Sequence, residues 1–167
     1  QFCPSSRRAR HRLSQYGSRQ VVARSGLHEL RVRKQRTAVL PHREKLPGDR
    51  FERGDRVRAS IIQVRRGAKG QEPQIVLSRA TPKFLERLLA LEIPEIAGGT
   101  IQIKDIVRQP GERAKVAVLT NERDVDPVGA CIGVKGARIL AISKELGGEK
   151  IDIIIWSANP AAFAKSA

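Results

Sequence analysis

The sequence predicts an α+β chain in which a small β-rich portion precedes a mixed unit of helices and strands. Three observations carry this. Residues 57–64 and 74–78 are apolar, partly alternating runs joined by a turn rich in glycine and basic residues, the mark of two antiparallel strands. From Thr81 onward, helical stripes and alternating runs follow one another in the order helix, strand, strand, helix, Gly-x-x-Gly, helix, strand. Finally, 40% apolar residues in a chain of 167 suffice for one or two modest cores.

The elements follow in order. Residues 1–38 show no strand alternation and no sustained helical stripe. Their arginines (Arg7, Arg8, Arg10, Arg12, Arg19, Arg24, Arg31, Arg33 and Arg36) stand almost without acidic company. This stretch is expected to be a basic, unpatterned arm, disordered or the product of a shifted reading frame. Residues 39–80 read differently. Turn-forming Leu46-Pro47-Gly48-Asp49 and Gly54-Asp55 precede the strand at 57–64, and Arg65, Arg66 and Lys69 make a basic loop before the strand at 74–78. Two such strands suggest the end of a small barrel, whose closure takes about five strands. Residues 1–38 do not visibly supply the others.

Thr81-Pro82 reads as a helix start, with Phe84, Leu85, Leu88, Leu89 and Leu91 on one face and Pro94 as a stop. A strand from Ile101 to near Arg108, the turn Gln109-Pro110-Gly111-Glu112 and an alternating return from Arg113 to Leu119 make a hairpin. Asp126-Pro127 opens a short helix, Gly133-Val134-Lys135-Gly136 interrupts it, and a further helix carries Ile139, Ile142 and Leu146 to Gly147-Gly148. The last run, from Lys150 to Trp156, is apolar enough to be expected mostly buried, with Trp156 closing the core.

Charge is uneven. The chain carries 32 Lys and Arg against 17 Asp and Glu, a formal +15, which points to a polyanionic partner. Yet residues 81–157 hold 11 basic and 11 acidic residues. Any nucleic-acid site there must rest on a few placed groups. The Gly-x-x-Gly turn supplies them. Its glycines let backbone approach a sugar-phosphate chain, the helix after it aims amides at phosphate oxygens, and Lys135 and Arg138 add charge-assisted contacts. Val134 and Ile139 would lie against bases. A Walker phosphate loop does not fit, because the turn is too short and lacks the Gly-Lys-Ser/Thr ending.

No other chemistry stands out. His11, His28 and His42 have no partner at ligand spacing, Cys3 and Cys131 form no metal or redox spacing, and Asp126 is explained by capping. No catalytic residue, metal or cofactor is expected. Apolar runs fall short of the roughly 18 residues of a membrane span, and cysteine usage fits a reduced, cytoplasmic setting. The chain lacks methionine and starts at Gln1, as a piece of a longer protein would.

The order of elements around Gly-x-x-Gly resembles the KH module, which holds about four nucleotides of single-stranded RNA. Longer runs narrow this. Leu40-Pro41-His42-Arg43-Glu44, Pro47-Gly48-Asp49-Arg50, Gly54-Asp55-Arg56-Val57-Arg58 and Leu77-Ser78-Arg79 come first. Val128-Gly129-Ala130-Cys131, Gly133-Val134-Lys135-Gly136-Ala137-Arg138 and Glu145-Leu146-Gly147-Gly148-Glu149-Lys150-Ile151-Asp152 are more specific, with Trp156 and Asn159-Pro160-Ala161 after them. Over residues 39–165 the chain resembles the NusA family of bacterial transcription factors. The resemblance implies a partial OB fold at 39–80, a type II (prokaryotic) KH domain at 81–158, and a linker at 159–167 toward a second KH domain.

It also implies a function: binding nascent single-stranded RNA to modulate RNA polymerase pausing, termination and antitermination, without catalysis. RNA polymerase, reached through other parts of the full-length protein, and other termination or antitermination factors would be partners. RNA-binding residues would be Gly133, Val134, Lys135, Gly136, Arg138 and Ile139, with Arg65, Arg66 and Lys69 of the basic loop. The alternative is an RNA-binding module of an RNA-degradation or RNA-processing complex. The Val-Gly-Ala-Cys and Glu-Leu-Gly-Gly runs argue against it.

Overall fold

A computed structural model describes residues 19–24, 29–32, 36–52, 55–65 and 74–166. The chain divides into two compact units, the second of which takes Leu46–Asp49 together with everything from Ala80 onward.

The first unit is built on strands β1 (Arg19–Arg24), β2 (Glu29–Val32), β3 (Arg36–Val39), β4 (Arg56–Arg65) and β5 (Gln74–Ser78). They pair in the order β1-β2-β3-β5-β4, and β4 pairs back onto β1 (Val21 opposite Val57), so the ring closes. All pairings are antiparallel except β3 with β5, where Ala38 lies opposite Ile75. A bulge between Ile61 and Gln63 bends β4, as closing so small a ring requires. Ala38, Leu40, Val57, Ala59, Ile75 and Leu77 form the core, with Phe51 and Ile61 against it. Arg79 is buried beside it: Nη1 donates to the Arg58 carbonyl at 2.7 Å, and the guanidinium lies 5.6 Å from the centre of the Phe51 ring.

The unpatterned arm expected over 1–38 is therefore corrected at 19–24, 29–32 and 36–38, which lie in strands, while residues 1–18, 25–28 and 33–35 lie outside the described residues. The physical reason is length. Strands of four to six residues hold too few positions for alternation to register; β1 and β3 are fixed by pairing with β4 and β5 far along the chain, and β2 is held between them.

In the second unit, α1 (Pro82–Glu92) and the short α2 (Pro94–Ala97) precede the hairpin β6 (Ile101–Gln109) and β7 (Arg113–Thr120). Then come α3 (Pro127–Ile132), a 3-10 turn (Val134–Gly136), α4 (Ala137–Glu145), β8 (Lys150–Ile155) and α5 (Pro160–Ser166). The sheet order is β6-β7-β8, with β7 antiparallel to β6 and parallel to β8. With helices segregated to this sheet, the unit has the α+β form expected of a type II KH domain.

Its core comprises Phe84, Leu85, Leu88, Leu89 and Ile93 from the α1 region, Ile101, Ala114, Val116 and Val118 from the hairpin, and Cys131, Ile142 and Leu146 from the later helices. Leu46 joins them, 3% exposed. Pro47 sits where a Cβ on Gly111 would come within 2.5 Å of its ring, and Gly111 takes φ +80°, so that turn admits only glycine.

Two expectations need correction. Leu91 points away from the α1 stripe and is 58% exposed. The β8 run is half-buried, not buried: only Ile151 and Ile153 pack on the core, and Ile155 is 50% exposed, because β8 pairs on one side only among the described residues. Trp156 is likewise half-buried, with the Lys104 ammonium 5.7 Å from its ring centre.

One feature of this unit went unseen in the sequence. Arg108 and Glu149 form an ion pair with both side chains out of solvent. Arg108 Nε donates to Glu149 Oε1 at 2.7 Å and Nη2 to Oε2 at 2.8 Å, while Nη1 reaches the Thr81 carbonyl at 2.9 Å. The Gly111 amide donates to the same carboxylate at 2.9 Å. The pair thus ties the end of β6, the hairpin turn, the start of α1 and the entry to β8.

Candidate nucleic-acid interface

The Gly-x-x-Gly turn is set by the helices on either side. Asp126 caps α3, its Oδ1 accepting from the Val128 amide at 3.0 Å, and its carboxylate folds over Gly129, where a Cβ would come within 2.4 Å of Oδ2. Proline at the first position of α3 adds a preset φ. The helix stops at Gly133, whose φ of 74° with ψ of 176° is closed to residues bearing a Cβ. Lys135 follows at φ 52°, the one non-glycine residue with positive φ among the described residues, and Gly136 at φ 77°. Three residues out of four thus lie on the left-handed side, which turns the chain sharply and leaves the loop projecting. Strain of this kind at Lys135, of order 1–2 kcal/mol, is what functional loops hold.

The projecting side chains suit a single nucleic-acid strand. Val134 is 83% exposed and Lys135 is exposed beside it. Ile132 and Leu140, one on each side of the turn, are also large exposed apolar residues. Leu140 lies one turn beyond Gly136, its Cδ1 3.8 Å from where a Cβ on that glycine would stand. At the start of α4 the Ala137 amide donates to the Val134 carbonyl, and no side chain caps the helix, so its positive end is open to an acceptor from outside.

Of the residues picked out in the sequence, Gly133, Val134, Lys135 and Gly136 are together on this loop. Ile139 is different: it is half-buried and packs on the core, and the apolar residue exposed next to it is Leu140, which sequence reasoning passed over. The stripe at Ile139, Ile142 and Leu146 could have shown this, since a residue on the core face is poorly placed to meet a base. Arg138 is also held differently. Its Nη1 donates to Glu95 at 3.0 and 3.2 Å and to the Ala130 carbonyl at 2.6 Å. Glu95 is kept below the usual carboxylate range, first by a hydrogen bond from its own backbone amide and then by Arg138, against the opposing effect of burial. In the barrel, Arg65 ends β4, exposed, its Nε donating to Gln63 at 3.1 Å. Arg66 and Lys69 lie outside the described residues.

Cys131 has the opposite character to a nucleophile. It is buried on α3, and burial, reinforced by Glu95, pushes its thiol up to about 11. No group of three or more metal-ligating side chains occurs among the described residues, and no described helix is long and apolar enough to cross a membrane.

Residues 79–156 match the NusA-like first KH domain family. Over 130 residues the chain is 49% identical to the transcription termination/antitermination protein NusA of Thermus thermophilus, an alignment covering 78% of this chain and 33% of that protein. The protein of that name from Bacillus subtilis is 45% identical over 130 residues, with 78% and 34% covered. That of Borreliella burgdorferi is 49% identical over 127, with 76% and 26% covered. The chain spans at most about a third of the length of these relatives. Turn geometry, sheet order and sequence thus agree, and residues 79–156 belong to the NusA-like first KH domain family.

Proposed function

We propose that the chain is the RNA-gripping part of a transcription elongation factor, one that modulates RNA polymerase pausing, termination and antitermination by holding nascent single-stranded RNA. The observation that carries this is the loop at residues 133–136: three of its four residues have positive φ, and it presents Val134 and Lys135 to solvent ahead of an uncapped helix. Backbone phosphates would meet Lys135 and the first-turn amides of α4, and bases would lie against Val134 and the exposed apolar side chains near it. Arg138 and Ile139 belong to this site through the shape they give it. Arg65, with Arg66 and Lys69, would be a separate set of RNA contacts carried by the barrel. The names of the relatives supply the transcriptional setting.

On this reading the protein acts by binding, without catalysis, and works in the cytoplasm where transcripts emerge. RNA polymerase and other termination or antitermination factors are its partners, engaged through parts of the longer protein. The test is titration of a labelled single-stranded RNA with the whole chain and with a Val134→Asp, Lys135→Asp variant. The two carboxylates would stand where phosphates must approach, so binding should be lost while the circular-dichroism spectrum is kept. Equal affinity of the two proteins would refute the clamp.

A further inference from the structure

We infer that Arg138 is a positioning residue of the proposed clamp, not one of its phosphate contacts, and that Glu95 holds it in that role. The inference deepens the RNA-binding reading and rests on it. A basic residue two positions after Gly-x-x-Gly invites assignment to phosphate, yet its contacts point inward. The two hydrogens of one guanidinium nitrogen, Nη1, serve three acceptors, one hydrogen being shared: both carboxylate oxygens of Glu95 on α2 and the carbonyl of Ala130 in the last turn of α3. That carbonyl belongs to the group a helix end leaves without an intrahelical partner, so Arg138 supplies one.

The stem of the side chain does a second job. It lies across Gly133, where a Cβ would stand 2.8 Å from Cγ and 3.0 Å from Cδ. Arg138 therefore fastens α2, the end of α3 and the first glycine of the loop to the first turn of α4. Its charge is largely offset by Glu95, the two side chains being 32% and 33% exposed. Lys135, exposed on the turn itself, is the better-placed cation for phosphate.

The two roles predict opposite signs. Removing the negative charge of Glu95 near a polyanion should tighten binding if only Coulomb attraction matters. If Glu95 braces the loop through Arg138, binding should weaken. The experiment measures affinity of the full chain for a labelled single-stranded RNA of mixed sequence over a range of salt concentrations. Glu95→Gln should weaken binding about fivefold, the size of a lost partly exposed charged contact, with the salt slope unchanged. Arg138→Lys should weaken it similarly, because an ammonium keeps the charge but ends one bond short of where Nη1 meets carboxylate and carbonyl. Lys135→Gln should instead lower the salt slope by about 0.7, the loss of one phosphate contact.

Equal or tighter binding by Glu95→Gln overturns the inference, as does wild-type affinity in Arg138→Lys or a fall in slope in Arg138→Gln matching that of Lys135→Gln. Thermal melting checks that each variant folds, and should Glu95→Gln fail to fold, Arg138→Lys decides alone. A wild-type chain that binds no single-stranded RNA overturns the clamp reading itself, and this inference with it. Loss of binding in the double-aspartate variant beside unchanged binding in Glu95→Gln and Arg138→Lys leaves the clamp standing and removes only the brace.

Discussion

Gly133 and Gly136 carry the same letter for different reasons, and their substitution should show it. At Gly133 both conformation and space exclude a side chain: φ 74° with ψ 176° is reserved for glycine, and Arg138 occupies the volume a Cβ needs. At Gly136 only the left-handed backbone objects, since the nearest atom to a Cβ there is at an ordinary 3.8 Å. Gly136→Ala should cost about 1 kcal/mol, and Gly133→Ala should reach or exceed the upper end of about 1–3 kcal/mol. Urea denaturation of the two variants checks the order, and equal costs would contradict it. Cys131 gives a prediction in pH. Its folded value of about 11 stands above the ordinary 9.0 of a thiol, so the unfolded chain loses this proton first as pH rises. The contribution is complete below pH 9 and is lost as pH climbs toward 11. Wild type should therefore lose more stability over that window than Cys131→Ser, measured by denaturant midpoints at each pH. Glu95 works the other way. Its lowered value keeps the contact with Arg138 in place at neutral pH, and protonation removes it only below the ordinary glutamate range.

Among elements, what the sequence made legible is what local pattern can carry. The α1 stripe from Phe84 to Leu89, the turn at Gly111 between β6 and β7, the Asp126-Pro127 start of α3 and the double glycine ending α4 each write their structure within about ten residues. So did the Gly-x-x-Gly turn, because the glycines that mark it are the residues its backbone demands. Long-range features left no such trace. Arg108 and Glu149 are 41 residues apart, and neither neighbourhood announces a buried charge. The contact of Arg138 with Glu95 spans 43 residues and was hidden by the more obvious role of a cation near phosphate. The strands β1, β2 and β3 were missed because the long-range pairing of β1 with β4 and of β3 with β5, with β2 held between them, makes them strands, not their own alternation. The buried pair yields an element-scale prediction. Glu149→Gln leaves Arg108 charged and out of solvent, and breaking such a pair costs about 3–5 kcal/mol. Because Glu149 also accepts from Gly111, loosening should concentrate where the β6–β7 turn meets the start of β8. Hydrogen exchange at Gly111 and Lys150, the latter donating to the Glu112 carbonyl at 3.0 Å, should quicken more than at Val116.

At the scale of the whole molecule, the KH unit is not a continuous stretch of chain. Leu46–Asp49 precede β4 in sequence, yet they belong to the second unit and not to the barrel on either side of them. Leu46 is nearly as deeply placed as the buried residues of α1, in a core shared with Phe84, Ile101, Val116 and Cys131. The short segment is shaped for its task. Asp49 accepts from the Leu46 amide at 3.0 Å and donates its own amide back to the Leu46 carbonyl at 3.0 Å, closing a tight loop around Pro47-Gly48. Pro47 then fills the space left by Gly111 beneath the β6–β7 turn. A boundary drawn at residue 80 from sequence pattern alone therefore divides a core. Leu46→Ala should cost about 2–5 kcal/mol, the range for emptying a buried leucine site, and the loss should appear in the KH unit. Backbone amides of β7 at Val116 and Val118 should exchange faster, while those of β5 at Val76 and Leu77 keep their wild-type rates. Equal acceleration in both strands would mean that Leu46 stabilises the chain as one cooperative body, and no change in β7 would mean that the KH core closes without it. RNA affinity of Leu46→Ala at low temperature, where the unit remains folded, should match wild type, since none of the residues proposed to touch RNA is altered.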